Sequence, residues 1–315
     1  MILEGVFVYK VASYITFYQD SLSLQACIQA IKSQSYPIQH LIIVDNSPEP
    51  LLQYYSQDES ITLLSHPENI GIAGGLKIGI QWAIANNYDF LWTFDQDSQP
   101  SPELLEKLLE TYQAIKSREN IGIIAPLAVD KITGQEWHGI NFNGYQFQEA
   151  EHHKIAQDYY CCDAVITSGS LISIPIAKQV PLPDEKFFID AVDWEYCWKF
   201  RQDNYDVVVA QNAILDHRFG NSRQIKIFPI SKLITIYNYS PLRYYYIHRN
   251  YTYLETRLAQ KNNKLIFSVF RRLQFLLILI IKIALLEPDQ KLLKIWACLK
   301  GTYDGFRGKL GKTWQ

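Results

Sequence analysis

Phe90-Leu91-Trp92-Thr93-Phe94-Asp95-Gln96-Asp97 runs from an apolar, β-favouring segment straight into two carboxylates one residue apart. A continuous apolar run of this kind is what a strand covered on both faces of a parallel sheet requires. Open α/β sheets bind ligands in the crevice beyond the carboxyl ends of their strands, so an Asp-x-Asp at that end points to a metal and phosphate site. The same residues, continued through Ser98-Gln99-Pro100-Ser101-Pro102, also read as a turn that stops a strand and caps a helix at Pro102. Short acidic motifs occur often by chance, so the flanking chain has to decide between the two.

Upstream, the strand-then-polar-loop pattern recurs. Val11 to Phe17 is β-rich and leads through Tyr18-Gln19-Asp20-Ser21 into a helical pattern with Leu24, Cys27, Ile28 and Ile31 on one face. Leu41 to Val44 is apolar and ends in Asp45-Asn46-Ser47-Pro48, and Ile61 to Leu64 is a third strand. Asn69-Ile70-Gly71-Ile72-Ala73-Gly74-Gly75 then opens a helix through Ile78, Trp82 and Ile84. Gly74 and Gly75 permit close backbone approach at a helix start, which suits either a diphosphate or tight helix packing.

Downstream come an amphipathic helix from Pro102 to Ile115, a strand from Ile121 to Pro126, and a hairpin excursion between Ala128 and Cys162. Two short strands flank Thr167-Ser168-Gly169-Ser170, and Phe187 to Asp193 opens a helix with Trp194, Cys197 and Trp198 on one face. Val207 to Val209 is a further strand, with His217 shortly after it. Alternating β and α of this kind implies an α/β sheet flanked by helices with right-handed crossovers.

After Pro229 the character changes to helical patterns over Tyr237–Leu258, Leu265–Leu286 and Asp289–Tyr303. The expected division is a catalytic domain over residues 1–230 (donor half 1–126, acceptor half 127–230) and a helical region over 231–315. The apolar stretch Leu273 to Leu286, broken by Lys282, is shorter than the roughly 20 residues a spanning helix needs. Flanked by Arg271, Arg272, Lys291 and Lys294, it suits a helix lying in the interface of an anionic membrane, or one packed on the domain or a homodimer partner.

With 30 basic and 32 acidic residues in 315, the net charge of −2 gives no field for nucleic acid. Five cysteines without a C-x-x-C pair, and no basic region before an apolar N-terminal segment, point to a cytoplasmic protein, with peripheral contact at the inner face of the plasma membrane.

Thr16-Phe17-Tyr18, Val44-Asp45-Asn46-Ser47, Asn69 to Gly75, Phe94 to Asp97, Ser168-Gly169-Ser170, Phe188-Ile189-Asp190 to Glu195, His217, and Tyr245 to Asn250 occur in an order and spacing that resembles the family 2 glycosyltransferases of the GT-A (Rossmann-like) fold, within them the rhamnosyltransferase-like members. The resemblance covers about residues 10 to 255. It implies a mixed sheet with a C-terminal helical extension, and an inverting, Mg2+- or Mn2+-dependent transfer from a nucleotide-sugar donor, dTDP-rhamnose or a UDP-sugar. The acceptor is a saccharide or lipid-linked saccharide in cell-surface polysaccharide synthesis.

By the same resemblance Thr16, Tyr18, Asp45, Asn69, Gly74, Gly75 and Asp95 belong to the donor site, and Asp97 and His217 bind the metal. Asp193 is the base that deprotonates the acceptor, with Glu195 as its rival, and Gly169 and Arg249 lie on the acceptor side. A hard cation held by carboxylates neutralises a departing diphosphate, and an alcohol needs a base before it attacks, so the residue types match the chemistry. Two departures weaken any choice of base and sugar: Lys77 stands where many members carry Asn, and Tyr18-Gln19 replaces a common Tyr-Asn. A phosphatase using Asp95-x-Asp97 is the competing enzyme class, but its motif is expected on the first strand and it leaves Gly74, Gly75 and Asp193 without roles. A membrane-associated scaffold that keeps the fold without turnover is the non-enzymatic alternative.

Overall fold

The structure is a computed structural model that describes residues 8–49, 58–130, 133–150, 158–217, 223–227 and 232–314. In chain order it contains β1 (Val11–Phe17), α1 (Ser21–Lys32), β2 (His40–Asp45), β3 (Ile61–Ser65), α2 (Gly71–Ala85), β4 (Phe90–Asp95), α3 (Leu104–Ala114), β5 (Ile121–Asp130), β6 (Glu136–Trp137), β7 (Ile140–Phe142), β8 (Phe147–Glu149), β9 (Tyr159–Cys162), β10 (Leu171–Ser173) and α4 (Ile174–Ala177). There follow α5 (Val192–Gln202), β11 (Asp206–His217), β12 (Arg223–Ile227), β13 (Lys232–Ile236), α6 (Pro241–Lys261), α7 (Leu265–Leu286) and α8 (Lys291–Arg307).

Among the described residues the main sheet has the order β3-β2-β1-β4-β10-β5-β11-β9, with β6 paired to β5. Strands β1 to β4 are mutually parallel, whereas β10 runs antiparallel to β4 and β5, and β9 antiparallel to β11, which makes the sheet mixed. The apolar runs of β1, β2 and β4 are buried because both faces are covered. Leu24, Ile28, Leu105 and Leu108 of α1 and α3 close one face, and Leu76, Ile80, Tyr196 and Phe200 of α2 and α5 close the other.

β5 and β11 run further than their sequences suggest. Pro126 reads as a strand end because it has no N–H to give to a ladder. In the sheet it pairs with Ala210, and the β11 register shifts between Ala210 and Ile214, a bulge that absorbs the missing bond. β5 thereby continues to Asp130 and β11 to His217, whose Cα pairs with that of Asp130. The bulge carries the imidazole to the site.

The three C-terminal helices form their own cluster, with Tyr244, Tyr245 and Tyr246 of α6 against Leu276 and Ile283 of α7 and Ala297 and Cys298 of α8. Trp314 then packs on Tyr245 with ring centroids 4.8 Å apart. No helix among the described residues is long and apolar enough to cross a membrane.

Candidate active site

Register fixes where the carboxylates stand. Phe17 pairs with Asp45 across β1–β2 and Thr16 pairs with Asp95 across β1–β4, so the two aspartates flank β1 at the same carboxyl edge. Asp45 is buried and its Oδ1 accepts from Ser47 N at 2.8 Å. The Gln96 side chain ties β4 to the loop after β1: its Oε1 accepts from Tyr18 N at 2.6 Å and its Nε2 donates to Tyr18 O at 3.2 Å. Asp95 is oriented by Ser168, whose hydroxyl donates to Asp95 Oδ2 at 2.7 Å and accepts from Asp95 N at 3.0 Å. Ser168 thus has a task that the Ser-Gly-Ser motif only hinted at.

Beyond this edge lies a cavity of about 630 Å³, in the size range of small-molecule sites. Asp95, Asp97, Asp193 and His217 all line it, together with aromatic side chains that include Trp137, Trp194, Tyr239 and Tyr251. Burial and the neighbouring Asp95 push the Asp97 carboxyl above the usual range, opposed by His217 and Arg243. Asp193, in the first turn of α5, is pushed up to about 7, mainly by burial. The Trp194 N–H, 3.0 Å from its Oδ1, works against the shift, and the charges of Asp190 and Asp95 add to it.

The loop before α5 is held in an unusual shape. Phe188, Asp190 and Ala191 all have positive φ, near +60°, which non-glycine residues seldom adopt. Asn250 of α6 over-determines it by donating from Nδ2 toward the carbonyls of Phe187, Ile189 and Asp190 at 2.8, 2.7 and 2.8 Å. Arg249 works beside it: Nε donates to Asn250 Oδ1, Nη1 to Gly311 O and Thr313 Oγ1, and Nη2 to Lys186 O and Phe187 O. All five guanidinium N–H groups are used and the residue is fully buried. The expected acceptor-side role of Arg249 is therefore corrected: it fastens the Asp193 loop to the C-terminal tail and has no donor left for a phosphate.

Arg243, one and two-thirds turns earlier, is the arginine that lines the cavity. Its Nε lies 3.4 Å from Asp190 Oδ1 and its guanidinium stacks on Tyr239 at 4.3 Å. A signal for it was present. A cation in the first turn of a helix opposes the dipole, so its presence there calls for an outside anion.

Other expected residues do not line the cavity. Glu195 is buried against Lys199 Nζ at 2.6 Å, with Asp184 N at 3.3 Å from its second oxygen. Asn69 shapes the turn before α2, its Oδ1 accepting from Gly71 N at 3.0 Å. Gly74 and Gly75 serve packing: a Cβ on Gly75 would stand 2.5 Å from the Tyr14 hydroxyl, and one on Gly74 would meet Ile70. Gly169 has φ +80° and a Cβ there would fall 2.8 Å from Pro126 and 2.9 Å from Leu215, so it permits a tight turn. Thr16 and Tyr18 stay with Asp45 along the adjoining β1–β2 edge.

Among the described residues no group of three or more His, Cys, Asp or Glu forms a ready-made metal cage. Asp97 with Asp95 beside it, and His217 acting on Asp97 from β11, still match a cation that draws the rest of its coordination from substrate phosphates, as Mg2+ sites commonly do.

The Glycosyl transferase family 2 sequence model matches residues 14–168, the span from β1 to the serine that holds Asp95. The dTDP-rhamnosyl transferase RfbF of Shigella flexneri is 28% identical over 303 residues, covering 95% of this chain and 96% of that one. Galactofuranosyltransferase GlfT1 of Mycolicibacterium smegmatis is 32% identical over 80 residues, 25% of this chain and 26% of its own. Two solved structures share the fold. GalNAc-T7 with UDP, GalNAc and Mn2+ superposes with a TM-score of 0.55 at 12% identity, over 67% of this chain and 44% of that one. S. aureus TarS 1-349 gives 0.52 at 13% identity, over 94% and 80%. With the mixed sheet, the helical flanks and the C-terminal extension, these matches show a GT-A fold that is of the family 2 glycosyltransferase type over residues 14–168.

Proposed function

We propose that this protein is an inverting, metal-assisted glycosyltransferase that moves rhamnose from dTDP-rhamnose to a growing saccharide in cell-surface polysaccharide synthesis. The observation that carries this is the single cavity shared by Asp95 and Asp97 at the β4 end and by Asp193, raised to about 7, at the start of α5. Asp193 takes the proton of the acceptor hydroxyl as its oxygen bonds to the anomeric carbon. The bond from that carbon to the donor's diphosphate breaks on the opposite side, and the nucleotide diphosphate leaves. A base with a pKa near neutrality is ionised often enough and basic enough to do this. Asp97 and His217 would hold Mg2+ or Mn2+, with Asp95 on the donor side, and the cation supplies charge neutralisation for the diphosphate. Asp45, Thr16 and Tyr18 are assigned to the nucleoside. Rhamnose is favoured over other sugars by the near full-length similarity to RfbF.

The test is release of nucleotide diphosphate from a panel of dTDP- and UDP-sugars with Mg2+ or Mn2+ and saccharide acceptors. Turnover strongest with dTDP-rhamnose supports the proposal. Turnover with UDP-sugars alone overturns the donor assignment, and phosphate release from simple monoesters without donor turnover overturns the transferase.

The helical region is proposed to rest on the anionic inner face of a membrane. Phe270 (71% exposed), Leu277 (60%), Leu292 (85%) and Trp296 (56%) on α7 and α8 turn apolar surface outward, while Leu276 faces the core. Lys264, Lys282, Lys291 and Arg307 lie on these two helices or at their ends, the charge an anionic lipid surface attracts. The five cysteines are free, in keeping with a reducing compartment. Sedimentation with anionic vesicles should fall roughly tenfold or more for Phe270→Glu with Leu277→Glu, since each buried side chain contributes ~1.5–3 kcal/mol. Unchanged sedimentation, with a wild-type dimer that the double variant breaks, would assign the face to a second copy instead.

A further inference from the structure

The cavity that begins at the carboxylates ends against α7, where Arg271, Arg272, Phe275 and Leu279 form its wall with Gln146 and Glu255. Arg272 is only 7% exposed. Its Nε donates to Thr252 Oγ1 at 3.2 Å, its Nη1 lies 3.4 Å from Glu255 Oε2, and its Nη2 has no acceptor among the described residues. A buried guanidinium nitrogen in that position costs stability until an oxygen is supplied. Arg271 next to it is half-buried, with Nε on Gln146 Oε1 at 2.5 Å and Nη1 on Gln274 Oε1 at 2.9 Å. Both of its acceptors are neutral amides. Glu255, whose other oxygen accepts from Phe147 N at 2.9 Å, balances one of the two positive charges and leaves the other uncompensated.

The same helix changes character on either side of this pair. Phe275 and Leu279 carry an apolar strip along the cavity wall, and Phe270, Leu277 and Ile281 carry another along the outer face. An anion seated at the arginines would therefore have polar cavity on one side, leading to Asp193, and apolar helix on the other.

We propose that Arg271 and Arg272 form an anion subsite for the phosphate of an amphiphilic acceptor, a saccharide carried on a lipid phosphate or diphosphate. The sugar reaches Asp193 through the cavity, and the apolar chain leaves along α7 toward the surface on which α7 and α8 rest. Guanidinium forks pair with phosphate oxygens through two N–H groups at once, which lysines do not match. The proposal deepens the transferase reading of the cavity and rests on it.

Farnesyl diphosphate, farnesol and inorganic pyrophosphate serve as probes, titrated into the full chain with and without saturating dTDP or UDP. Farnesyl diphosphate is expected to bind whether or not nucleotide is present, and more tightly than farnesol or pyrophosphate. Arg271→Gln should weaken it about 10- to 100-fold, the loss of a charge-assisted contact, and leave farnesol unaffected. Arg272→Gln should do the same, and where it disturbs folding through Glu255, Arg271→Gln and Arg271→Lys at matched melting temperature carry the test. Equal binding of farnesyl diphosphate by wild type and Arg271→Gln overturns the proposal. So does its displacement by nucleotide, which would put the diphosphate at the donor end, and so does pyrophosphate binding as tightly as the lipid, which would make the site one for free phosphate. The titration needs no turnover, so a chain inactive on every nucleotide sugar would sink the transferase reading and still report on the subsite.

Discussion

Replacing Asp193 by asparagine is expected to lower sugar transfer about 100- to 10,000-fold, the usual contribution of a positioned base, with nucleotide-sugar binding retained. The amide keeps the size of the side chain and can still accept from Trp194 N, so the loop and α5 keep their geometry. What disappears is the group able to take a proton. Because burial pushes Asp193 up to about 7, the wild-type rate should climb with pH through that value as the carboxyl ionises. Stability should move the other way. A folded pKa above the ordinary carboxylate value means that the protonated form favours the fold, a contribution fully present below the unfolded value and lost as pH rises through about 7. At pH 8 the wild type therefore carries a buried charge that the asparagine variant lacks, and Asp193→Asn should melt higher there. The gap should narrow as the pH falls below 7. Near-normal turnover in this variant, or a flat wild-type profile between pH 6 and 8, would remove Asp193 from the base role.

That pairing of lost rate with gained stability separates a base from a structural carboxylate. A helix-capping aspartate gives the opposite sign, since removing a cap destabilises. Asp193 is not the cap of α5: that position falls on Ala191, with a left-handed backbone and no side chain to offer. The helix start is shaped instead by the α6 side chains of Asn250 and Arg249, so the strain at Phe188, Asp190 and Ala191 is met from outside the loop.

How much of this was legible in the chain follows from the range over which each feature is determined. The runs Leu41–Val44 and Phe90–Phe94 announce buried parallel strands locally, and the carboxylates at their ends are found wherever the strands are found. The three C-terminal helices and the α3 amphipathic pattern are equally readable. β5 and β11 extend beyond the apolar runs Ile121–Pro126 and Val207–Val209, and only their pairing with each other, with its bulge, shows how Pro126 is accommodated. Arginine roles were the least legible. Arg249 and Arg243 sit on one helix, and six residues rotate them to different faces at 3.6 residues per turn, so a motif centred on Tyr245 to Asn250 selects the buried one. Gly74 and Gly75 could be read as phosphate cradle or packing, and the Tyr14 hydroxyl, from a strand far away in sequence, decides for packing.

Asp97→Ala and removal of divalent cations by chelation are each expected to reduce nucleotide diphosphate release about 100-fold or more. Negative charge accumulates at this end of the cavity. Burial and the neighbouring Asp95 already raise the cost of ionising Asp97, and a donor brings a diphosphate whose charge grows as the sugar departs. Arg243 answers some of it but is engaged with Asp190 at 3.4 Å. Several kcal/mol of charge stabilisation is what a bound divalent ion supplies, at about 1.4 kcal/mol per tenfold. Two further measurements tie the effect to Asp97 rather than to general loss of structure. Mn2+ should tighten UDP or dTDP binding to the wild type and leave the Asp97→Ala affinity unchanged, and chelation should cost the variant nothing more. Ser168→Ala, which frees the Asp95 carboxylate without deleting a charge, should fall between the wild type and Asp97→Ala, roughly tenfold down for the loss of one hydrogen bond to an ionised group. Full activity of the wild type in chelator would mean that the charge of the leaving diphosphate is met by Arg243 and the protein's own N–H groups alone, and an Asp97→Ala variant that still responds to Mn2+ would mean that the cation is held by groups other than Asp97.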